Sequence, residues 1–206
     1  MDSCISRIEH RENKLLSDIE IRPALRAKIL EDHGNANSVL IEELGLCRGQ
    51  VRVDIALVNS QFQGFEIKSD RDSLKRLGGQ AEIYSKLFDR MTVVTGERHL
   101  EKVLKCLPSW WSVLEVVKRA GCISFKVHRK GRKNQSRKSR TLVELLWLDD
   151  AITLLEQRDS ARGVRGKPRR VVWDRVCDCY TLDEIAENVR KCLKARARHQ
   201  GLPQFS

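Results

Sequence analysis

Asp54, Glu66 and Lys68 are the residues of this chain whose types and spacing could do chemistry. Glu66 and Lys68 stand two apart in Phe62-Gln63-Gly64-Phe65-Glu66-Ile67-Lys68. In a strand that spacing projects both side chains from one face, with Phe65 and Ile67 on the other. Asp54 interrupts Val53 and Ile55 in an alternating, β-branched run over 51–58, so an acid sits inside a strand that otherwise wants burial. Two carboxylates converging on one point repel unless a cation lies between them. A small set of oxygen ligands suits Mg²⁺, with Mn²⁺ as a substitute, because that ion keeps several of its waters. A lysine beside it holds or deprotonates an attacking water and stabilises charge on a phosphate in transfer.

These residues need particular elements to position them. Asn59-Ser60-Gln61 reads as the turn of a hairpin joining 51–58 to 62–68. Residues 23–30 read as a helix with Pro23 in its first turn, and 39–44 as a second helix, capped from Asn35-Ala36-Asn37-Ser38 and ended by Gly45. Apolar side chains at 74, 77, 81, 84, 87 and 88 have helical spacing, which predicts a helix over 72–88, its start capped by Asp70, Arg71 or Asp72. The short apolar run 91–95 fits a buried strand. A helix between it and the hairpin implies a parallel crossover. The order helix, strand, strand, helix, strand predicts an α/β core with a mixed central sheet flanked by helices. Residues 98–118 read as a further helix, with Trp110 and Trp111 against the core.

The remainder is basic. Residues 1–125 hold 19 Lys and Arg against 18 Asp and Glu, and residues 126–206 hold 20 against 10. Such asymmetry predicts a near-neutral core with a polyanion-binding extension. Residues 126–140 include eight Lys or Arg and no acid, and read as a mobile basic loop. Helices over 142–155 and 182–193, around a basic link at 162–170, predict a small helical C-terminal unit. The division is therefore a core over 1–125, a basic loop over 126–140 and a helical unit over 141–206. Seven cysteines without a CxxC pair suit reduced thiols. The charged start at Arg7, Glu9 and Arg11 is unlike a signal peptide, and no apolar run reaches membrane-spanning length. The expectation is a cytoplasmic protein with no membrane partner. The five histidines show no ligand spacing.

Arg52-Val53-Asp54-Ile55-Ala56, Gly64-Phe65-Glu66-Ile67-Lys68-Ser69-Asp70 and Gln80-Ala81-Glu82-Ile83-Tyr84 together resemble the PD-(D/E)XK nuclease superfamily, over residues 39–94. The chain as a whole resembles an uncharacterised bacterial family placed within it. Val53 stands where the superfamily's proline would be. The resemblance implies a restriction-endonuclease-like core and a nuclease that hydrolyses DNA, with RNA as the alternative substrate and a homodimer as an open possibility. It implies that Asp54 and Glu66, with the carbonyl of Ile67, hold one or two Mg²⁺, and that Lys68 serves the water. It also implies an acid on a preceding helix, Glu43 or else Glu42. Gln80 and Tyr84, four apart on one helix face, either line the site or cover the sheet edge. Tyr84 and the basic residues Arg129, Lys130, Arg132, Lys133, Arg137, Lys138 and Arg140 are then the candidate nucleic-acid contacts. Over 145–176 the chain loosely resembles a SAP-like DNA-binding module. The rival reading is a non-catalytic DNA-binding protein on a nuclease fold.

Overall fold

The computed structural model describes residues 15–35 and 37–199. Ala36 of the expected cap, the charged start and residues 200–206 lie outside the described residues. The elements run α1 (Asp18–His33), β1 (Val39–Leu46), β2 (Val51–Val58), β3 (Phe62–Lys68), α2 (Leu77–Tyr84), β4 (Arg90–Thr95), α3 (Glu97–Cys106), β5 (Ser112–Arg119), β6 (Cys122–Arg129), α4 (Ser139–Leu142), α5 (Leu148–Glu156), α6 (Arg169–Cys179) and α7 (Leu182–His199). One six-stranded sheet has the order β1-β2-β3-β4-β5-β6. β1, β2 and β3 are antiparallel neighbours, β3, β4 and β5 are parallel, and β6 returns antiparallel to β5. The α/β class and the mixed sheet flanked by helices follow the expectation. No helix among the described residues is long and apolar enough to cross a membrane.

Two expected helices are strands. Residues 39–44 form most of β1, which pairs with β2 from Val39↔Val58 to Leu46↔Val51. Val39 and Leu40 are buried in the cores on opposite faces of the sheet, so no apolar–polar alternation marks this strand. The second is the back half of 98–118. α3 ends at Cys106, just before Pro108, which disfavours helix at the residue preceding it. Ser112–Arg119 then pairs with both β4 and β6. The helix over 72–88 is real but shorter, and α1 begins at Asp18, where Glu20 accepts the N–H of Ser17 at 3.1 Å in a capping box.

The basic segment 126–140 is not a free loop. Its first four residues finish β6, and Asn134 is buried, donating to the carbonyls of Ser85 and Phe88 at 2.7 and 2.8 Å. Gly131 passes so close to β5 that a Cβ there would lie 2.9 Å from the main-chain nitrogen of Ser112.

The sheet is covered on both sides. α1 places Ile21, Leu25 and Ile29 against Ile55, Leu57, Phe65, Ile67 and Val94. On the opposite face Tyr84, Leu87 and Phe88 join Val93, Val113 and Trp111, and the same core runs on without a break through Leu142, Leu155, Trp173 and Val189 of the C-terminal helices. Burial of this kind is worth roughly 25 cal/mol per Å² of apolar surface, so the C-terminal helices are held by the sheet's own core.

Candidate active site

The site begins where β2 and β3 separate. Their pairing runs from Val58↔Phe62 to Ile55↔Phe65 and stops there. The next acid in β2 is Asp54, and its Oδ2 accepts the N–H of Ile67 at 2.6 Å, closing the fork with a side chain in place of a ladder bond. A strand residue's N–H and C=O leave on the same edge, so the Ile67 carbonyl opens into this fork too.

β1 and β2 turn over at the same level. Val53 packs into the core under α2, while Ile55 packs into the core under α1, although a period of two would put them on one face. In β1, Leu40 and Leu46 likewise lie on opposite faces. Glu43, between Leu40 and Leu46, has a left-handed φ of 53°. Its neighbours pair as Glu42↔Ile55 and Leu44↔Val53, which sets Glu43 across from Asp54. A left-handed non-glycine residue is strained by roughly 1–3 kcal/mol.

Glu66 and Lys68 do share a face, and both are buried, at 2% and 6% exposure. Lys68 Nζ donates to Glu66 Oε1 at 2.6 Å. Gln80 Nε2 donates to the same oxygen at 2.7 Å. The hydroxyl of Tyr84 lies 2.9 Å from Glu66 Oε2 and 2.8 Å from the Arg52 carbonyl, and its single proton serves one of them at a time. Gln80 and Tyr84 thus line the site from α2, one turn apart. Burial, and then the nearby Glu66, push the Asp54 carboxyl up to about 7, against the downward pull of the Ile67 N–H, Arg22 and Lys68. Burial and Glu66 also raise the Tyr84 phenol, so it stays protonated.

Several sequence expectations need correction. Glu43 and Glu42 lie on β1, not on a helix. Glu43 pairs with Arg22 at 2.9 Å and Arg52 at 3.6 Å, and Glu42 with Arg26 at 3.0 Å. The helix that precedes β1 is α1, and it brings a cation to the site, Arg22, which the sequence reading missed. The Ser17-x-x-Glu20 capping box was the available signal, because it starts α1 early enough to aim Arg22 inward. Tyr84 is fully buried, its ring 6.1 Å from that of Trp111, so it cannot contact a nucleic acid. Arg129 donates to the carbonyls of Trp111 and Pro108 at 2.8 and 3.1 Å. Arg137 pairs with buried Asp89 at 2.9 Å, and Arg140 with Asp174 at 2.8 Å. Arg129 and Arg137 are thus engaged by the fold, while Arg140 is about 40% exposed and pairs with Asp174 at the surface. Lys130, Arg132, Lys133 and Lys138 are exposed. Asp70 does cap a helix, but it is α3: its Oδ1 accepts the N–H of Arg98 at 3.3 Å.

Among the described residues no group of three or more His, Cys, Asp or Glu is arranged to hold a metal ion. What the fork offers is two carboxylates and a main-chain carbonyl. Asp54 Oδ1 has only a 3.5 Å contact with Arg22, and Gln80 Oε1 is buried with no hydrogen-bond partner. An oxygen-only set with few protein ligands fits Mg²⁺ chemistry, water completing the shell.

Comparison with known proteins adds a family. The chain is 34% identical to Protein cII of Enterobacteria phage P4 over 119 residues, an alignment covering 58% of this chain and 45% of that relative. It therefore spans less than half of that relative's length. Among solved structures, the SPO1766 protein of unknown function from Silicibacter pomeroyi matches 69% of this chain and 90% of its own, at 20% identity and a TM-score of 0.40. The sequence pattern of bacteriophage P4 protein cII matches residues 11–202, nearly the whole chain, and the chain belongs to that family.

Proposed function

We propose that this protein is a metal-dependent nuclease that hydrolyses DNA phosphodiester bonds on a restriction-endonuclease-like core. The observation that carries the reading is the buried Lys68–Glu66 pair set beside Asp54 at the opened end of β2 and β3. A structural ion pair needs no second acid next to it. A buried carboxylate whose ionisation is opposed by a neighbouring carboxylate, as Asp54's is by Glu66, is the arrangement a divalent cation relieves.

Asp54, Glu66 and the carbonyl of Ile67 would hold Mg²⁺ or Mn²⁺. When bound, the ion supplies Lewis acidity and a more acidic water. The chain's own groups do the rest. Lys68 spends one of its three protons on Glu66 and keeps two to hold the attacking water and meet charge on the phosphate. Gln80 and Tyr84 fix the Glu66 carboxylate in place. Lys130, Arg132, Lys133 and Lys138 take backbone phosphates by counterion release, without reading sequence.

The test is cleavage of supercoiled plasmid and linear duplex with Mg²⁺ or Mn²⁺, by wild type, Lys68→Ala and Asp54→Ala. Metal-dependent nicking that both substitutions abolish, with duplex binding retained, supports the reading. Chemically matched RNA in the same assay separates a DNA-directed from an RNA-directed nuclease. A second reading is a DNA-binding protein without catalysis, favoured by one observation: each Glu66 oxygen is already engaged by a protein donor. Binding without cutting of either nucleic acid under any metal selects it.

A further inference from the structure

We propose that Arg22 is the built-in counter-cation of the Asp54 site, and that it competes with the divalent ion for that carboxylate. The inference rests on the reading of Asp54 as a metal ligand. Arg22 is mostly buried and reaches from α1 over the point where β1 and β2 turn over. It donates to the main-chain carbonyl of Asp54 at 3.1 Å, and lies 3.5 Å from Asp54 Oδ1. The same guanidinium contacts Asp18 at 3.0 Å, Glu43 at 2.9 Å and Glu42 at 3.9 Å. Glu42 and Glu43 have other partners, Arg26 and Arg52. Arg22 is the cation that Asp18 and Asp54 share, and its removal leaves both acids without an ion-pair partner among the described residues, Asp54 keeping the Ile67 N–H.

The guanidinium places positive charge against the free edge of Asp54, as a metal ion bound there would. Burial alone would lower the Arg22 pKa, yet Asp18, Asp54 and Glu43 together raise it. The group therefore stays charged across the accessible pH range, and protons do not remove it from the site. A cation arriving at Asp54 Oδ1 meets the repulsion of a fixed charge and must displace the guanidinium nitrogen that stands 3.5 Å from that oxygen. Release is eased because Arg22 retains Asp18, its neighbour at i−4, as a partner on its own helix. Arg22 is thus a positioning residue that sets how much divalent ion the site requires.

The experiment measures Mn²⁺ binding to wild type, Arg22→Met and Arg22→Lys by calorimetry, alongside thermal unfolding in EDTA and in Mn²⁺. Arg22→Met should bind Mn²⁺ about tenfold more tightly than wild type, the removed charge being only a few ångströms from the ligand. It should melt lower in EDTA and regain more from Mn²⁺ than wild type does. Arg22→Lys keeps the charge without the planar fork and should fall between them. It also carries the comparison should the Met variant fold only with Mn²⁺, which would itself support competition. Unchanged or weaker Mn²⁺ affinity in Arg22→Met overturns the proposal. Asp54→Asn in each background separates the two ideas. If it abolishes wild-type Mn²⁺ binding while Arg22→Met gains nothing, the metal ligand stands and the competition falls. If it changes Mn²⁺ binding in no background, both fall.

Discussion

Asp54 accepts the main-chain N–H of Ile67 at 2.6 Å, so a side chain replaces the ladder bond at the point where β2 and β3 part. One acid thereby does two jobs. It closes the sheet at the fork, and it is held within electrostatic reach of Glu66. The edge residue Glu43 sits opposite Asp54 in a left-handed conformation that turns β1 over in step with β2. The candidate site is therefore a defect in the sheet, built by two strands changing face together.

Tyr84→Phe tests how Glu66 is held. The substitution removes only the hydroxyl, which lies 2.9 Å from Glu66 Oε2 in a fully buried position. A buried carboxylate oxygen stripped of its partner loses about 1–3 kcal/mol. Urea unfolding should show a loss of that size, and divalent-ion affinity should change with it because Glu66 gains freedom. Wild-type stability in the Phe variant would mean that Gln80 and Lys68 suffice to hold the carboxylate.

The pH dependence has a defined sign. The Asp54 carboxyl is raised to about 7 by burial and by Glu66, from about 3.9 in an unfolded chain. Its folded-state pKa lies above the unfolded one, so the fold favours the protonated form. That contribution is fully present below about pH 4 and is lost as the pH rises through about 7. Asp54→Asn, which still accepts from Ile67 but never ionises, should gain stability over wild type in EDTA as the pH goes from 5 to 8. The gain should be steepest between about pH 5 and 6, approaching about 1.4 kcal/mol per pH unit there, and should level off above about pH 7. A wild-type-to-variant difference that is flat with pH would show that Asp54 is already ionised in the fold at pH 5.

The sequence was most legible where a strand is ordinary. Glu66 and Lys68 could be placed on one face because β3 keeps its period of two through both residues. Gln80 and Tyr84 could be placed on one helix face for the same local reason. Reading failed where periodicity itself breaks. β1 is covered on both faces at Val39 and Leu40 and then turns over at Glu43, so its pattern imitates a short helix. The acid expected from a helix at Glu43 was thus assigned to the wrong element. The capping box marks the start of α1, but the reach of Arg22 to Asp54 spans 32 residues of chain and was not used in the reading. The basic segment misled for a different reason. Composition counts charges, but Arg129, Arg137 and Arg140 spend theirs on carbonyls and acids of the fold.

That division of the basic segment gives two substitutions opposite outcomes. Arg137 is 9% exposed and pairs with Asp89, which also accepts the N–H of Phe62 at 2.7 Å. Removing one partner of a buried pair leaves a buried charge uncompensated, at about 3–5 kcal/mol. Arg190 stays 3.9 Å from Asp89, which should keep the loss near about 3 kcal/mol, toward the lower end of that range. Arg137→Ala should therefore unfold at lower urea, with any weakening of DNA binding tracking the loss of folded protein. The double variant Lys130→Ala, Lys133→Ala should unfold like wild type, since both side chains are exposed. It should bind duplex DNA more weakly, and the slope of log affinity against log salt should fall by about 2 if each lysine meets one phosphate. Titrating labelled duplex at several salt concentrations checks this. An unchanged slope would place the phosphate contacts elsewhere on the protein, with exposed Arg162 of the α5–α6 connection and Arg169 at the start of α6 next to be substituted.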